Sequence, residues 1–87
     1  MEFEIIIKPS AEKQMDKLPK VVRIRVVERL EQLRHDPRPP GTVKLKGADN
    51  LWRIRVGDYR LIYEIQDDQL IVYVLRVSHR KDVYKGK

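Results

Sequence analysis

The chain of 87 residues is long enough for one small domain with a modest core and too short for two. Its formal net charge of +6 and pI of about 9.8 favour a polyanionic partner, nucleic acid or an acidic protein rather than a membrane surface. The lack of cysteine excludes disulfides and thiolate chemistry. Because there is no signal peptide and no apolar run near the ~20 residues of a membrane span, we expect a cytoplasmic protein without membrane partners.

The first part of the chain predicts a strand followed by two helices. Residues 2–8 alternate between apolar and charged side chains, as a half-buried strand does. Pro9 suits the first turn of a short helix that ends before Pro19. Pro19 then opens a second helix that runs to about His35. We expect the two helices to form an antiparallel hairpin that packs against a sheet.

The second helix carries more apolar residues than one buried face can use. Val21 and Ile24 lie too far round the helix to join its main stripe, so two interpretations stay open. Either the neighbouring helix covers them, or they belong to an exposed groove for a partner helix. The main stripe consists of four residues at helical spacing: Val22, Val26, Leu30 and Leu33.

The middle of the chain predicts a tight β-hairpin. Residues 51–64, LWRIRVGDYRLIYE, form two strands joined by a two-residue turn at Gly57-Asp58. This turn sets the register, with Arg55 opposite Arg60 and Arg53 on the same face of the sheet. Like charges placed opposite one another destabilise a sheet. The three arginines therefore either lie on a solvated face and pair with acids, or form a site for phosphate.

The remaining segments extend this hairpin into a larger sheet. Residues 36–42, DPRPPGT, form a connector within the domain, and residues 42–46 a short strand. After the hairpin, we expect a turn at Asp67-Asp68 and a last strand over residues 69–77. Alternation along that strand predicts two groups: Val72 and Val74 on the core face, and Ile71, Tyr73 and Leu75 beside the arginines.

The tail SHRKDVYKGK concentrates polar residues after the last strand. His79 is either an exposed loop histidine or a group for proton transfer. Tyr84 either anchors the tail by packing or stacks on a base. No zinc-ligand spacing, Gly-rich phosphate loop or Ser-His-Asp arrangement occurs in the chain, so we expect neither a metal nor a cofactor.

The order β–α–α–β–β–β, with the segments LKGADNLWRIRVGDYRLIYEI and VLRVSHRKDVY, resembles the RelE/ParE superfamily of small bacterial and archaeal toxins. The resemblance covers essentially the whole chain and implies a single RelE-like toxin domain over residues 1–87. The implied fold class is α+β, with the helical hairpin packed on one face of a small, twisted, mainly antiparallel sheet. A cognate RelB-like antitoxin is implied as the partner that holds the toxin inactive in a hetero-oligomer.

For the RelE branch, the resemblance implies an endoribonuclease that cleaves mRNA in the ribosomal A site, next to rRNA. A ribose 2′-hydroxyl attacks the adjacent phosphate and leaves a 2′,3′-cyclic phosphate. Carried over by position, the catalytic residues of that branch correspond to Arg53, Arg55, Arg60, Arg80 and Tyr84. Lys44, Lys46 and Lys81 are expected to add RNA contacts.

Arg53 and Arg55 stand where RelE has lysines. Because an arginine almost never gives up its proton, these two side chains can supply electrostatic stabilisation but no base. We therefore expect His79, together with Tyr84, to act as general base or acid.

ParE-type members offer an alternative of a different class. They share the fold, lack the nuclease residues and poison DNA gyrase by binding it. The tail HRKDVY together with Arg60 favours the RNA-cleaving branch, because a pure binder needs neither histidine nor tyrosine there. A third interpretation, a nucleic-acid-binding module without toxicity, predicts harmless overexpression.

Overall fold

A computed structural model describes residues 2–79, so the predicted site residues Arg80, Lys81 and Tyr84 lie outside the described part of the chain. The order of elements agrees with the predicted one, although the strand predicted over residues 42–46 shortens to two residues. In chain order the elements are β1 (Glu4–Ile7), α1 (Pro9–Asp16), α2 (Lys20–His35), β2 (Val43–Lys44), β3 (Leu51–Val56), β4 (Tyr59–Gln66) and β5 (Ile71–His79).

The five strands form one sheet in the order β1-β5-β4-β3-β2. β1 runs parallel to β5, and every other neighbouring pair is antiparallel. The predicted α+β fold with a mainly antiparallel sheet is therefore confirmed. Within residues 2–79 no helix has the length and apolar character needed to cross a membrane.

Both helices pack on one face of this sheet and close the core. Each helix begins at a proline, as predicted: Pro9 occupies the first turn of α1, and Pro19 caps α2. The core joins the two layers through buried side chains of the helices and of the sheet: Ala11, Met15, Val26, Leu30 and Leu33 from the helices, and Ile54, Val56, Leu61, Tyr63, Ile65, Val72, Val74 and Val77 from the sheet.

The apolar residues outside the main stripe of α2 remain at the surface. Val21 is 63% exposed, Ile24 49% and Val27 47%. In the described part of the chain the neighbouring helix leaves them uncovered, so the first of the two interpretations is wrong. We call these three residues the α2 apolar patch.

The connection between β4 and β5 differs from the prediction. The turn spans residues 67–70 rather than Asp67-Asp68 alone, and β5 begins at Ile71 rather than at residue 69. Because the start moves by an even number of residues, the side chains of β5 before Leu75 keep their predicted faces. Val72 and Val74 are accordingly buried, as predicted.

A β-bulge then changes the alternation within β5. Val74 pairs with Tyr63, but Ile62 pairs with Arg76, so the register passes over Leu75. The prediction that Leu75 lies beside the arginines is therefore wrong, since Arg76 takes the place opposite Ile62.

The connector, residues 36–42, is fastened to the sheet at both ends. The buried Tyr63 hydroxyl donates a hydrogen bond to the Pro37 carbonyl (2.8 Å) and lies 3.3 Å from the Thr42 hydroxyl. Burial raises the pKa of Tyr63, and the hydrogen bond with Thr42 opposes that rise. Arg38 forms a two-pronged ion pair with Asp67, at 3.1 and 2.7 Å, which lowers the pKa of Asp67 and raises that of Arg38.

Candidate functional site

The β3–β4 hairpin presents three arginines on the face of the sheet away from the helices. The predicted register is confirmed: Val56 pairs with Tyr59, Arg55 with Arg60, and Arg53 with Ile62. Gly57 adopts a φ of +61°, a conformation that only glycine adopts readily, and so permits the two-residue turn. We call Arg53, Arg55 and Arg60 the arginine face.

A shallow cleft of about 210 Å³ gathers these side chains at one place. Besides the arginine face, the cleft is lined by Gly41 of the connector, Val43 of β2 and Ile54 of β3. Because Tyr63 and Thr42 hold the connector, Gly41 has a fixed position at the rim of the cleft. Concave basic surfaces of this kind bind phosphate groups.

Within the described part of the chain, no acid forms an ion pair with the arginine face. Among the ion pairs of residues 2–79, none includes Arg53, Arg55 or Arg60. Glu64, an acid of β4 on the same face of the sheet as Arg60, accepts a hydrogen bond from Gln66. Arg55 donates its Nε–H to the Gly57 carbonyl at 2.9 Å, which orients its guanidinium beside the turn. The positive charge of this face is therefore available to an anionic ligand.

Sequence reasoning missed Arg76, which is exposed near the arginine face. The bulge places Arg76 of β5 opposite Ile62 of β4. Ile62 also pairs with Arg53 of β3, so Arg53 and Arg76 lie on either side of it. One signal existed in the sequence. Strict alternation after Val72 and Val74 would place the Arg76 guanidinium in the core. Because burial of an unpaired charge costs much free energy, the sequence indicates a break in the alternation near Arg76.

The structure does not place His79 with the three arginines. His79 pairs with Tyr59, whereas Arg60 pairs with Ser78, so His79 and Arg60 belong to opposite faces of the sheet. The His79 ring lies edge-on to Tyr59, with 4.9 Å between ring centroids and 88° between the planes. The expectation of an imidazole beside the guanidinium groups is thus corrected by the geometry.

The predicted RNA-contacting lysines of β2 and the following loop also separate. Lys44 pairs with Trp52, and its ammonium lies 5.9 Å from the centre of the indole ring, on the face opposite Arg53. Lys46 is exposed in the loop after β2. Within residues 2–79 no group of three or more His, Asp or Glu side chains could hold a metal ion.

Comparison with known proteins agrees with this architecture. The chain is similar to toxin RelG of Mycobacterium tuberculosis, with 31% identity over 98% of this chain and 99% of that protein. It is also similar to the mRNA interferase toxin RelE of Escherichia coli K12, with 30% identity over 93% of this chain and 86% of that protein.

Solved structures give the same result. The crystal structure of the archaeal RelE–RelB complex from Pyrococcus horikoshii OT3 contains a chain that superposes with a TM-score of 0.83 and 29% identity, over 92% of this chain and 97% of that one. The sequence profile of the ParE toxin of the type II toxin–antitoxin system, parDE, matches residues 5–84. The chain therefore belongs to the ParE toxin family of type II toxin–antitoxin systems, within the RelE/ParE superfamily.

Proposed function

We propose that this toxin is an endoribonuclease that cleaves mRNA in the A site of the ribosome. The observation that carries the proposal is the convergence of Arg53, Arg55 and Arg60 in one cleft, with no ion pair to a carboxylate within residues 2–79. Like charges placed together on a sheet destabilise the fold, and a bound phosphate would offset their repulsion with charge-assisted hydrogen bonds. The similarity to the mRNA interferase toxin RelE supports the same activity.

In the proposed reaction the ribose 2′-oxygen attacks the adjacent phosphorus while the bond from phosphorus to the 5′-oxygen breaks. The products are a 2′,3′-cyclic phosphate and a free 5′-hydroxyl. Negative charge builds up on the phosphorane, where the guanidinium groups of the arginine face stabilise it. Removing one such preorganised donor typically costs about a hundredfold to a thousandfold in rate.

Two protons must also move: the 2′-hydroxyl loses one, and the leaving 5′-oxygen gains one. Arginine cannot serve as the base, since its guanidinium group keeps its proton in proteins. His79 and Tyr84 remain the predicted groups for these transfers, with Arg80 as a further cation and Lys46, Lys81 and Lys44 as RNA contacts. Since His79 lies across the sheet from Arg60, its role requires the RNA to reach both faces at this end of the sheet.

The proposed partner that keeps the toxin inactive is a cognate RelB-like antitoxin in a hetero-oligomer. The α2 apolar patch offers it a surface of three side chains that are each about half exposed or more. The net charge of +6 favours an acidic chain. We propose that an amphipathic, acidic segment of the antitoxin covers this patch, and that both proteins act in the cytoplasm.

The direct test adds the purified toxin to ribosomes that carry a defined message. Cleavage of that message is then mapped by primer extension. Arg55→Ala and Arg60→Ala should each reduce cleavage at least about a hundredfold. Arg23→Ala, which removes an exposed arginine of α2 far along the chain from the hairpin, serves as the matched control and should cleave normally. Cleavage by both hairpin variants at the control rate would remove the proposed role of the arginine face.

The match to the ParE profile favours one alternative, inhibition of DNA gyrase by binding without cleavage. The two functions differ in what stops first after induction in cells. The nuclease halts protein synthesis and leaves cuts at defined codon positions, whereas a gyrase poison causes DNA damage and leaves messages intact. His79→Ala separates them further, since only the nuclease needs proton transfer.

A further inference from the structure

A second cleft, of about 350 Å³, opens between α1 and the end of β5, at the edge of the sheet. We propose that this α1/β5 cleft binds a nucleotide of the RNA substrate that flanks the scissile phosphate. The inference rests on the proposed function, because it extends the RNA path from the arginine face around the edge of β5. The residues that carry it are Gln14, Lys17, Tyr59, Arg76, Ser78 and His79.

The cleft exists because β5 is longer than its parallel neighbour. β1 ends at Ile7, opposite Val74, so among the described strands none pairs with the rest of β5 at that edge. Two side chains of α1 form hydrogen bonds with this backbone. The side-chain Oε1 of Gln14 accepts a hydrogen bond from the Val77 N–H at 2.6 Å, and the Ser10 hydroxyl donates to the Leu75 carbonyl at 3.4 Å. These contacts hold α1 against β5, and so fix the two walls of the cleft.

The lining combines cations with aromatic rings. Lys17 lies on the α1 side and Arg76 on the β5 side, and the lining residues within 2–79 include no carboxylate. Lys17 caps the carbonyl end of α1, where a positive side chain also offsets the negative end of the helix dipole. Tyr59 and His79, the edge-on aromatic pair, line the same cleft. Proteins bind single-stranded RNA with cationic side chains that contact the phosphates and aromatic rings that stack on the bases.

The α1/β5 cleft adjoins the arginine face through the pairing of β4 with β5. Ser78, which lines the cleft, pairs directly with Arg60, and Tyr59 is the chain neighbour of Arg60. Adjacent strands lie about 4.8 Å apart, so the distance of one strand separates Arg60 of the arginine face from Ser78 of the cleft. An RNA strand that follows this path reaches both faces of the sheet, which also brings it to His79.

The probe for this proposal is a fluorescent RNA hexanucleotide with 2′-O-methyl groups, which cannot be cleaved, and its binding to the full-length toxin is followed by fluorescence anisotropy. Lys17→Ala and Arg76→Ala should each weaken binding by about five- to tenfold at low salt and reduce the slope of log K against log salt by about 0.7, the value for one phosphate contact. Lys17→Arg and Arg76→Lys, which keep the charge, should restore most of the affinity. Lys13→Ala is the matched control, since Lys13 is an exposed lysine of α1 outside the cleft.

Arg60→Ala, measured beside these variants, separates the cleft from the proposed function. Loss of affinity in Arg60→Ala alone overturns the cleft and leaves the arginine face in place. Loss in Lys17→Ala and Arg76→Ala alone supports the cleft and counts against the arginine face. Equal affinity in all variants overturns both. A fluorescent acidic hexapeptide that binds as tightly through Lys17 and Arg76 would overturn the assignment of the cleft to RNA.

Discussion

Replacing Arg60 by glutamine should make the free toxin more stable while removing its proposed activity. Arg55 and Arg60 face each other across the hairpin, one step away from the turn pair Val56 and Tyr59. Neither arginine forms an ion pair within residues 2–79, so their mutual repulsion is not offset there. Arg60→Gln keeps a long polar side chain and removes one of the two opposed charges.

The expected gain follows from Coulomb's law. Two unit charges about 7 Å apart in a medium with the dielectric constant of water repel by about 0.6 kcal/mol. Measured cross-strand charge pairs fall in the same range, roughly 0.2–1 kcal/mol. For a domain of this size, 1 kcal/mol corresponds to a change in Tm of about 4–8 °C, so we expect Arg60→Gln to melt about 1–8 °C higher.

The assay is thermal unfolding followed by circular dichroism, at low salt and at 1 M salt, where the screening length falls to about 3 Å. The gain should be largest at low salt and should disappear at high salt. Arg53→Gln is the matched comparison, since Arg53 faces Ile62 rather than a like charge and should show a smaller gain. An Arg60→Gln variant that melts no higher than the wild type at low salt would refute this reasoning.

Three further predictions concern the connector and the α2 apolar patch. Tyr63→Phe leaves the Pro37 carbonyl without its buried donor and should cost about 1–2 kcal/mol in a urea unfolding curve; an unchanged midpoint would contradict it. Asp67→Asn should cost up to about 1 kcal/mol at neutral pH. Because Arg38 lowers the folded-state pKa of Asp67 from its ordinary 3.8, this cost should be fully present well above pH 3.8 and vanish as the pH falls through the folded pKa. Ile24→Lys should weaken binding of the cognate antitoxin roughly tenfold, measured by titration calorimetry, while ribosomal cleavage persists; unchanged affinity would place the antitoxin elsewhere.

The hairpin and the helix starts could be predicted from the sequence because local rules determine them. A two-residue turn at Gly57 fixes every cross-strand pair of β3 and β4, and a proline fixes the first turn of each helix. The faces of Val72 and Val74 were also predicted, even though the turn before them was predicted too short, since a shift by two residues preserves alternation.

The bulge in β5 depends on tertiary packing and could not be read from local rules. An extra residue at Leu75 reverses the alternation, places Arg76 opposite Ile62, and sends His79 to the helix side of the sheet. The predicted grouping of His79 with the arginines failed at this point. The connector also required the structure, because only the fold brings Tyr63 to Pro37 and Asp67 to Arg38.

The position of β5 in the sheet has a consequence for folding of the chain during its synthesis. β5 is the last of the described strands in the sequence, yet it lies between β1 and β4 and joins the two ends of the sheet. A nascent chain that has emerged only as far as β4 therefore contains a hairpin and two helices with no strand to connect them. The sheet closes by contacts between residues distant in sequence, which form late during folding. The complete sheet can therefore form only after β5 has been synthesised.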